Sequence, residues 1–290
     1  MTFLQLDYAA MALAIVEVIL GVAILIVAKL ALGILSPYAT DQEMTERDNP
    51  AFGLAISAYF AGVVIVYLSV AGLEPLPLDE GGKAVFYAIG AKVVWALVGI
   101  VALNLSRWLM DRLLVPHVRN DHEITEHCNL AAGALECGGY IASAAVLAGA
   151  IRQPGGNLWT ALGIFLLGQF VLIILGRLYQ KWTGYNVGAE ISAGNFAAGI
   201  AFAMTIVALS LLMVKAISGE FVSWSRSLAF FAFDSIAGLI LLLFLRWLTA
   251  ATLLPHAKVT EEIVRDRNVN VSLIEGVFAV GIAGIILLLF

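Results

Sequence analysis

Apolar runs of about 20 residues or more recur along the whole chain, and a run of that length crosses a hydrocarbon layer of about 30 Å as one α-helix. Hydrophobic residues form 61% of the 290 residues and charged residues only 13%, whereas soluble domains carry about 25% charge. A water-soluble fold cannot bury so much apolar surface. The sequence therefore predicts an all-α integral membrane protein, a single membrane domain over residues 1–290, with about eight transmembrane helices near residues 9–35, 50–72, 85–113, 129–151, 157–181, 195–217, 224–251 and 270–290.

Charge and cysteine content narrow the range of partners. The net charge is −5, so a nucleic-acid partner is not expected, and the lipid bilayer is the expected surrounding. Cys128 and Cys137 are too few for a disulfide framework. No Lys or Arg precedes the first apolar run, which is longer than the roughly 7 to 15 apolar residues of a signal peptide, so we expect a retained helix. We expect no cofactor.

Long and short connections alternate along the chain, and this alternation defines four helical hairpins, near residues 9–72, 85–151, 157–217 and 224–290. A constant offset of 139 residues carries Arg107 onto Arg246 and Glu136 onto Glu275, which predicts two similar halves of two hairpins each. Because every hairpin contains two spans, all four insert in the same orientation as parallel repeats. A loop motif recurs in them at Pro37, Glu43 and Asn49; Pro116, Glu123 and Asn129; Glu190 and Asn195; and Pro255, Glu262 and Asn268.

Basic residues near the ends of the spans indicate the orientation, since cytoplasmic loops are enriched in Lys and Arg. Eleven such residues flank the long connections and four flank the short ones. We therefore expect the long loops to lie in the cytoplasm and both termini to lie outside.

The segments Pro37 to Asn49, Pro116 to Asn129 and Pro255 to Asn268 resemble the two-helix bacterial membrane domain known as domain of unknown function 350. The shared pattern is a helix, a proline-containing turn, an acidic Glu-Ile-like segment, and then Asn with small residues opening a second helix. In that pattern an Asp lies shortly before the proline; Asp111 matches it in the second hairpin, and the first and fourth hairpins have none. The resemblance would cover the chain as four tandem copies. It implies a bacterial inner-membrane protein, in a family whose members often neighbour phage-shock-type membrane-binding proteins, and it implies no biochemical activity.

The repeated loop residues fit structural roles. Each motif Asn precedes the second helix of its hairpin, and Asn49 is followed by Pro50, a pairing typical of an N-cap and the first helical position. Thr40 to Glu43 and Asn120 to Glu123 have the spacing of a capping box, which predicts that the first residue of each caps a short helix. We expect the repeated Glu and Asn residues to be structural rather than catalytic.

The string His122-Glu123-Ile124-Thr125-Glu126-His127-Cys128 places metal-binding side chains on one helix face, but it matches neither order known from zinc proteases. The equivalent residues of the fourth hairpin, Glu261, Asp266 and Arg267, keep neither His nor Cys. We therefore expect no metal site.

Ionisable side chains within the spans cost about 2.5 to 3.5 kcal/mol each at a helix centre, so they should face other helices or an aqueous cavity. Arg107 and Glu136 lie at similar depth in their helices, and Arg246 and Glu275 repeat that relation. The sequence predicts a buried ion pair within each of these two hairpins.

Other intramembrane carboxylates favour a transport path. Glu17 and Asp234 lie nearer the outer half of the bilayer, where Lys92 is the only basic residue at similar depth. At least one of these carboxylates therefore lacks an obvious partner, and a desolvated carboxylate can exchange a proton or hold a monovalent cation. The candidate path residues are Glu17, Asp234, Glu136 and Glu275, with Lys92 as an internal counter-charge.

Two functional hypotheses remain open. The first is a transporter or channel for protons or small cations, which the intramembrane acids favour. The second is a membrane scaffold or stress-response partner that recruits a peripheral protein through its cytoplasmic loops, which the repeated loop motif favours. A homo-oligomer is compatible with both. An enzyme is the least expected class, because no nucleophile lies beside a base in a recognisable motif and no phosphate-binding glycine loop occurs.

Overall fold

The structure is a computed structural model of the chain, and it is all-helical in the part that it describes. It describes residues 8–36, 38–72, 76–77, 80–116, 118–253 and 258–289, and the side chains of these residues except at 8–10, 245–246 and 248–253. Pro37 and Pro255 of the loop motif lie outside the described residues, as does the side chain of Arg246.

Eight long helices in the described part are long and apolar enough to cross a membrane, which confirms the predicted number of spans. Their apolar residues recur without a polar face, as expected for helices surrounded by lipid and by one another. They are α1 (Tyr8–Leu35), α3 (Pro50–Ala71), α4 (Gly82–Leu113), α6 (Leu130–Ile151), α7 (Leu158–Trp182), α9 (Phe196–Ile217), α10 (Trp224–Leu253) and α12 (Val269–Leu289).

A short helix interrupts the long connection inside every hairpin. These four helices are α2 (Thr40–Thr45), α5 (Asn120–Thr125), α8 (Val187–Ser192) and α11 (Val259–Val264). We call this side of the molecule the long-loop end and the opposite side the short-loop end. The repeated Glu lies within each short helix, and the repeated Asn follows it directly before the next long helix.

The long helices form two rows. In the inner row, α3, α6, α9 and α12 pack side by side in chain order. In the outer row, α4, α7 and α10 each lie against two neighbouring inner helices, namely α3 with α6, α6 with α9, and α9 with α12. The first outer helix, α1, packs on α3 and on α4. The core therefore sits between the rows and along the inner row.

Glycines set the close approach of the inner helices near the long-loop end. A Cβ atom at Gly133 would lie 2.5 Å from the carbonyl oxygen of Ala51, and one at Gly199 would lie 2.6 Å from the carbonyl oxygen of Ala131. Both distances are too short for any side chain, so only glycine allows the two backbones to come this near. Gly133 and Gly199 both stand four residues after the motif Asn of their hairpin.

Candidate functional site

A buried polar cluster surrounds Arg107 near the long-loop end, between α4 and α6. The Arg107 Nη1 atom donates a hydrogen bond to the hydroxyl of Tyr38 at 2.9 Å and lies 3.3 Å from Oδ1 of Asp121. The same atom stands 3.9 Å from Oε1 of Glu136, which is an ion-pair distance but longer than a hydrogen bond. The structure thus places Arg107 and Glu136 next to each other, with Asp121 as a second carboxylate on the same guanidinium.

Tyr38 enters this cluster from the connection after α1. Its ring packs edge-on against Phe52 with 5.5 Å between ring centroids, which fixes the hydroxyl toward Arg107. Burial raises the pKa of Tyr38 above its ordinary value, the nearby Glu136 carboxylate raises it further, and Arg107 opposes both. Tyr38 therefore remains a neutral hydrogen-bonding group.

A small cavity of about 20 Å³ lies beside Glu136, enough for about one water molecule or one small ion. Two of the residues that line it each have a buried oxygen atom without a hydrogen-bond partner in the described part of the chain: Oδ1 of Asn120 and the hydroxyl of Tyr140. Asn120 is 6% exposed and Tyr140 is 2% exposed, so bulk water does not satisfy them. Buried polar atoms of this kind normally have a partner, and the cavity that both residues line has room for one.

The cavity is also rich in carboxylates. Asp111 lies on its wall, and its Oδ1 atom accepts a hydrogen bond from the main-chain NH of Asn120 at 2.8 Å. Glu136 is 5% exposed, and no hydrogen bond to its carboxylate occurs among the described residues. With all groups ionised, Asp111, Asp121 and Glu136 carry three negative charges against the positive charges of Arg107 and of Arg112, which acts on Asp111. Such a site favours a proton or a small cation with oxygen ligands.

A second polar cluster lies on the short-loop side of the bilayer. The Lys92 Nζ atom forms an ion pair with Oε1 of Glu17, and Lys92 is buried. The Tyr67 hydroxyl lies 2.6 Å from Oε2 of Glu17 and 2.7 Å from the main-chain oxygen of the same residue. Glu17 therefore has two partners, Tyr67 on α3 and Lys92 on α4, and no pattern in the sequence indicates the contact with Tyr67.

An apolar layer separates the two clusters. Along α3, Tyr67 and Tyr59 are eight residues apart, which corresponds to about 12 Å at 1.5 Å per residue. Buried apolar side chains at this depth include Val63 and Val66 on α3 and Ile100 and Leu103 on α4. The Tyr59 hydroxyl donates to the main-chain oxygen of Ala28 at 3.0 Å, on the long-loop side of this layer. In the described residues, these apolar side chains lie between the Glu17 cluster and the Arg107 cluster.

The structure does not bring the other candidate path residues into these clusters. Asp234, on α10, is half-buried and lines a separate cavity of about 480 Å³ with Lys215 and Arg226 at the short-loop end. Glu275 is half-buried on α12, and its proposed partner Arg246 has no described side chain. Both clusters therefore lie in the first half of the chain, one at Glu17 and Lys92 and one at Glu136 and Arg107. Asp234 and Glu275 lie in the second half.

The repeated Glu and Asn of the loop motif bond directly to each other in every hairpin. The Nδ2 atom of the Asn donates to the Glu carboxylate at 2.8 to 2.9 Å, in the pairs Asn49 with Glu43, Asn129 with Glu123, Asn195 with Glu190, and Asn268 with Glu262. The Asn Oδ1 atom accepts from main-chain NH groups in the first turn of α3, α6, α9 or α12, which is the N-cap role. Pro116 lies in the turn after α4.

A further bond from the same Asn joins consecutive hairpins. The Nδ2 atom of Asn49 donates to the main-chain oxygen of Ile124 at 2.8 Å, although the two residues are 75 positions apart. Asn129 makes the same bond to Ile191 at 2.8 Å, and Asn195 makes it to Ile263 at 2.8 Å. Sequence reasoning missed this bond because a main-chain acceptor leaves no side-chain signature.

The predicted capping boxes of the short helices are wrong. The N-caps of α2 and α5 are Ala39 and Arg119, neither of which makes a side-chain capping bond. Thr40 and Asn120 lie one position further on, inside the helix, and the repeated Glu points to the motif Asn instead of back to the cap. The Glu–Asn bond therefore replaces the expected capping box.

The residue before each motif Asn has a left-handed backbone. The φ angles are 47° at Asp48, 48° at Cys128, 71° at Gly194 and 50° at Arg267. Glycine adopts this conformation without cost, and the third hairpin is the one that has a glycine at this position. The other three hairpins keep a strained residue there, which allows the chain to reverse between the short helix and the motif Asn.

His122, Glu123 and His127 lie together at the surface of the long-loop end, with their ligand atoms within 4.8 Å of one another. The Glu123 carboxylate accepts from Asn129 at 2.9 Å and lies 3.2 Å from Nδ1 of His127. The same Glu123 oxygen thus takes part in the repeated Glu–Asn bond.

Comparison with known proteins identifies the family. No curated protein and no solved structure matches the chain. The family model described as Domain of Unknown Function (DUF350) matches two segments, residues 5–151 and 155–289. Each segment contains two hairpins, so the family domain is matched twice, whereas the sequence expectation counted one copy for each hairpin. The two segments together span almost the whole chain, which belongs to the DUF350 family.

Proposed function

We propose that this membrane protein moves protons or small monovalent cations across the bilayer, and that the cavity beside Glu136 is its binding site. One observation carries the proposal: a buried carboxylate without a hydrogen bond among the described residues shares a cavity with two unpartnered oxygen atoms. A bound cation, or a proton on Glu136 together with a water molecule, would satisfy the Tyr140 hydroxyl and Asn120 Oδ1 at once.

Arg107 and the acidic residues have different roles in this proposal. Glu136 binds the proton or cation, and Asp111 and Asn120 supply further oxygen atoms on the cavity wall. Arg107 lies close enough to lower the cost of a buried carboxylate, yet it leaves the carboxylate free to accept another partner. Asp121 draws the guanidinium away from Glu136, since it lies nearer to the same nitrogen atom.

The Glu17 and Lys92 pair forms the second binding site of the proposed path. It lies on the other side of the apolar layer of Val63, Val66, Ile100 and Leu103. A charge cannot cross that layer without water or a rearrangement of the helices, because these four buried side chains are apolar. We therefore propose alternation between a state open to Glu136 and a state open to Glu17, rather than an open channel.

For the cell, we propose the bacterial inner membrane with the long-loop end in the cytoplasm, on the basis of the Lys and Arg distribution. Glu136 would then be loaded from the cytoplasmic side. We propose no enzymatic activity. The scaffold hypothesis ranks second, because the repeated Glu and Asn side chains that favoured it are engaged inside the chain.

Flux into liposomes tests the proposal. The purified protein is reconstituted into vesicles that contain a pH-sensitive dye, and proton uptake is followed under imposed pH, Na⁺ and K⁺ gradients. Glu136→Gln removes the charge of the proposed ligand. Glu126→Gln is the matched control, since Glu126 is an exposed carboxylate on the connection that precedes α6. Cation-dependent thermal stability in detergent gives a second readout that does not require transport.

We expect flux in the wild type, at least a tenfold loss in Glu136→Gln, and unchanged flux in Glu126→Gln. Stabilisation by one cation that disappears in Glu136→Gln would identify the ion, and stabilisation by low pH alone would identify the proton. Absence of flux under every gradient would overturn the transport proposal. Unchanged flux in folded Glu136→Gln would overturn the assignment of the site.

A further inference from the structure

The contacts between neighbouring inner helices repeat from one hairpin to the next. We call each of these contacts a seam; the described chain contains three, between α3 and α6, α6 and α9, and α9 and α12. In the first two seams, the residue two positions after the motif Asn of one hairpin contacts a glycine four positions after the motif Asn of the following hairpin. These pairs are Ala51 with Gly133 and Ala131 with Gly199.

A second contact also repeats further along the helices. In this contact, the residue nine positions after the motif Asn of one hairpin packs against the residue eight positions after the motif Asn of the following hairpin. A Cβ atom at Gly138 would lie 2.8 Å from the Cβ atom of Ala203, and one at Gly276 would lie 2.8 Å from the Cβ atom of Met204. The same positions on consecutive helices therefore touch in the second and third seams.

Each seam also contains the hydrogen bond from a motif Asn to the main chain of the next short helix. The donors are Asn49, Asn129 and Asn195, and the acceptors are the residues directly after Glu123, Glu190 and Glu262. A seam thus combines helix packing in the membrane with one polar bond at the long-loop end. All seams run in the same direction along the chain, from one hairpin to the next.

The inner row ends at α3 on one side and at α12 on the other. Each end exposes one of the two surfaces that pack together in a seam. On α3, Gly53 stands four positions after its motif Asn, is exposed, and would give a Cβ atom no neighbour within 4 Å. On α12, Asn270 stands two positions after its motif Asn and is exposed. The second contact is open as well, because Ser57 and Val277 are both exposed at the corresponding positions.

The donor and the acceptor of the seam hydrogen bond also lie without each other at the two ends of the row. Within the described residues, Asn268 Nδ2 bonds to Glu262 but not to a following short helix, unlike the other three motif Asn residues. At the other end, Met44 follows Glu43 as Ile124 follows Glu123, and its main-chain oxygen accepts no side-chain bond in the described part. A donor at one end of the row therefore matches an acceptor at the other.

We propose that copies of this chain associate head to tail, with α12 of one copy packed on α3 of the next as a further seam. The backbone at Asn270 of one copy then packs against Gly53 of the next copy, and Val277 packs against Ser57. The Nδ2 atom of Asn268 donates a hydrogen bond to the main-chain oxygen of Met44 in the next copy. The outer row supports the same arrangement. α4, α7 and α10 each fill a groove between two inner helices, whereas α1 in the described part packs chiefly on one inner helix, α3. A neighbouring α12 completes that groove.

The physical basis is the same as inside the chain. Lipid offers no hydrophobic gain for joining helices, so close packing of small residues and interhelical hydrogen bonds supply the association. The exposed face of α3 repeats small residues every four positions at Gly53, Ser57 and Ala61. Because the two surfaces differ, the contact is heterologous and extends to a ring or a row of copies rather than to a two-fold dimer.

Disulfide crosslinking between two differently tagged copies tests this interface. In a background with Cys128→Gly and Cys137→Ala, one copy carries Ser57→Cys and the other Val277→Cys, and both are expressed together and oxidised in native membranes. We expect a crosslinked heterodimer. A copy with both substitutions should give a ladder of dimers, trimers and larger species. Phe170→Cys on the lipid-facing side of α7 replaces Ser57→Cys as the control and should give no crosslink with Val277→Cys.

Bulk at Gly53 provides the second measurement. Gly53→Leu has open space in a single copy, so the monomer should fold with unchanged thermal stability, whereas the particle mass in nanodiscs or mild detergent should fall to that of one chain. Monomeric wild type at every protein concentration would overturn the proposal. Crosslinks within pairs of Ser57→Cys copies would also overturn it, since they require a two-fold contact. An unchanged oligomer in Gly53→Leu would do the same.

Discussion

Asn129 Nδ2 donates a hydrogen bond to the main-chain oxygen of Ile191 over 2.8 Å, across 62 positions of sequence. The same nitrogen donates to the Glu123 carboxylate at 2.9 Å, and the side-chain oxygen caps α6. One amide group thus closes its own hairpin, starts its own helix and joins the next hairpin. Both N–H bonds of this amide donate and its oxygen accepts from the main-chain NH groups of Ala131 and Ala132, a combination that neither Ser nor Asp can provide.

Asn129→Ala should therefore lower the free energy of unfolding by about 2 to 4 kcal/mol, through loss of a cap, a bond to a carboxylate and a bond between hairpins. Asn268→Ala is the matched control, because Asn268 lacks the bond to a following hairpin among the described residues. Its effect in a monomeric sample should be smaller by about 1 kcal/mol. Unfolding by SDS titration measures both, and equal losses would contradict the role of the bond to Ile191.

Cys128→Gly should stabilise the protein by about 1 kcal/mol, because Cys128 has a φ angle of 48° and glycine removes the cost of that conformation. Gly194→Ala makes the reverse change at the equivalent position, where φ is 71°, and should destabilise by a similar amount. Thermal unfolding in detergent compares the two variants with the wild type. A lower midpoint for Cys128→Gly would show that the thiol, not the backbone, matters there.

Arg107 and Glu136 should be energetically coupled. Glu136→Gln leaves Arg107 with Asp121 at 3.3 Å, whereas Arg107→Met leaves the buried Glu136 without its cation. We expect the Arg107 variant to be the less stable of the two, with a loss of about 3 kcal/mol, and the double variant to be milder than the sum of the singles by about 1 kcal/mol or more. Additive losses in the double-mutant cycle would argue against the pair.

Gly133→Ala and Gly53→Ala occupy the same position in consecutive hairpins but should have opposite effects. A Cβ atom at Gly133 would lie 2.5 Å from the Ala51 carbonyl oxygen, so the substitution must separate α3 from α6 and should cost about 1 to 3 kcal/mol. Gly53 has open space, and alanine there should gain up to about 1 kcal/mol of helix propensity in a single copy. Thermal unfolding of monomeric samples distinguishes them.

The sequence could predict the spans and their order because apolar length is a direct physical requirement of the bilayer. The span predicted at 50–72 is α3 at Pro50–Ala71, and the span predicted at 129–151 is α6 at Leu130–Ile151. Asn followed by Pro50 also marks a helix start from local chemistry alone. Both signals act within a few residues, so neither depends on which helices meet.

What could not be predicted involves partners from different hairpins. Tyr38 and Tyr67 look like ordinary interfacial or core tyrosines in the sequence, yet each places its hydroxyl on a charged group of a distant helix. The sequence did not show which of Glu17 and Asp234 would pair with Lys92. Glu17 does so, because α1 packs on α4, whereas α10 lies at the other end of the outer row. Depth in the membrane is readable from sequence, whereas lateral position is not.

The two-row arrangement has a consequence for how the protein gains and loses stability. Each inner helix packs chiefly on the inner helix before it and the one after it, as the units of a solenoid do. Stability in such a quasi-one-dimensional array is a sum of unit terms and nearest-neighbour terms, so damage in one hairpin stays local and fraying starts at the terminal units. The fold itself sets no limit on the number of hairpins, and a duplicated or deleted pair would leave every remaining neighbour relationship intact.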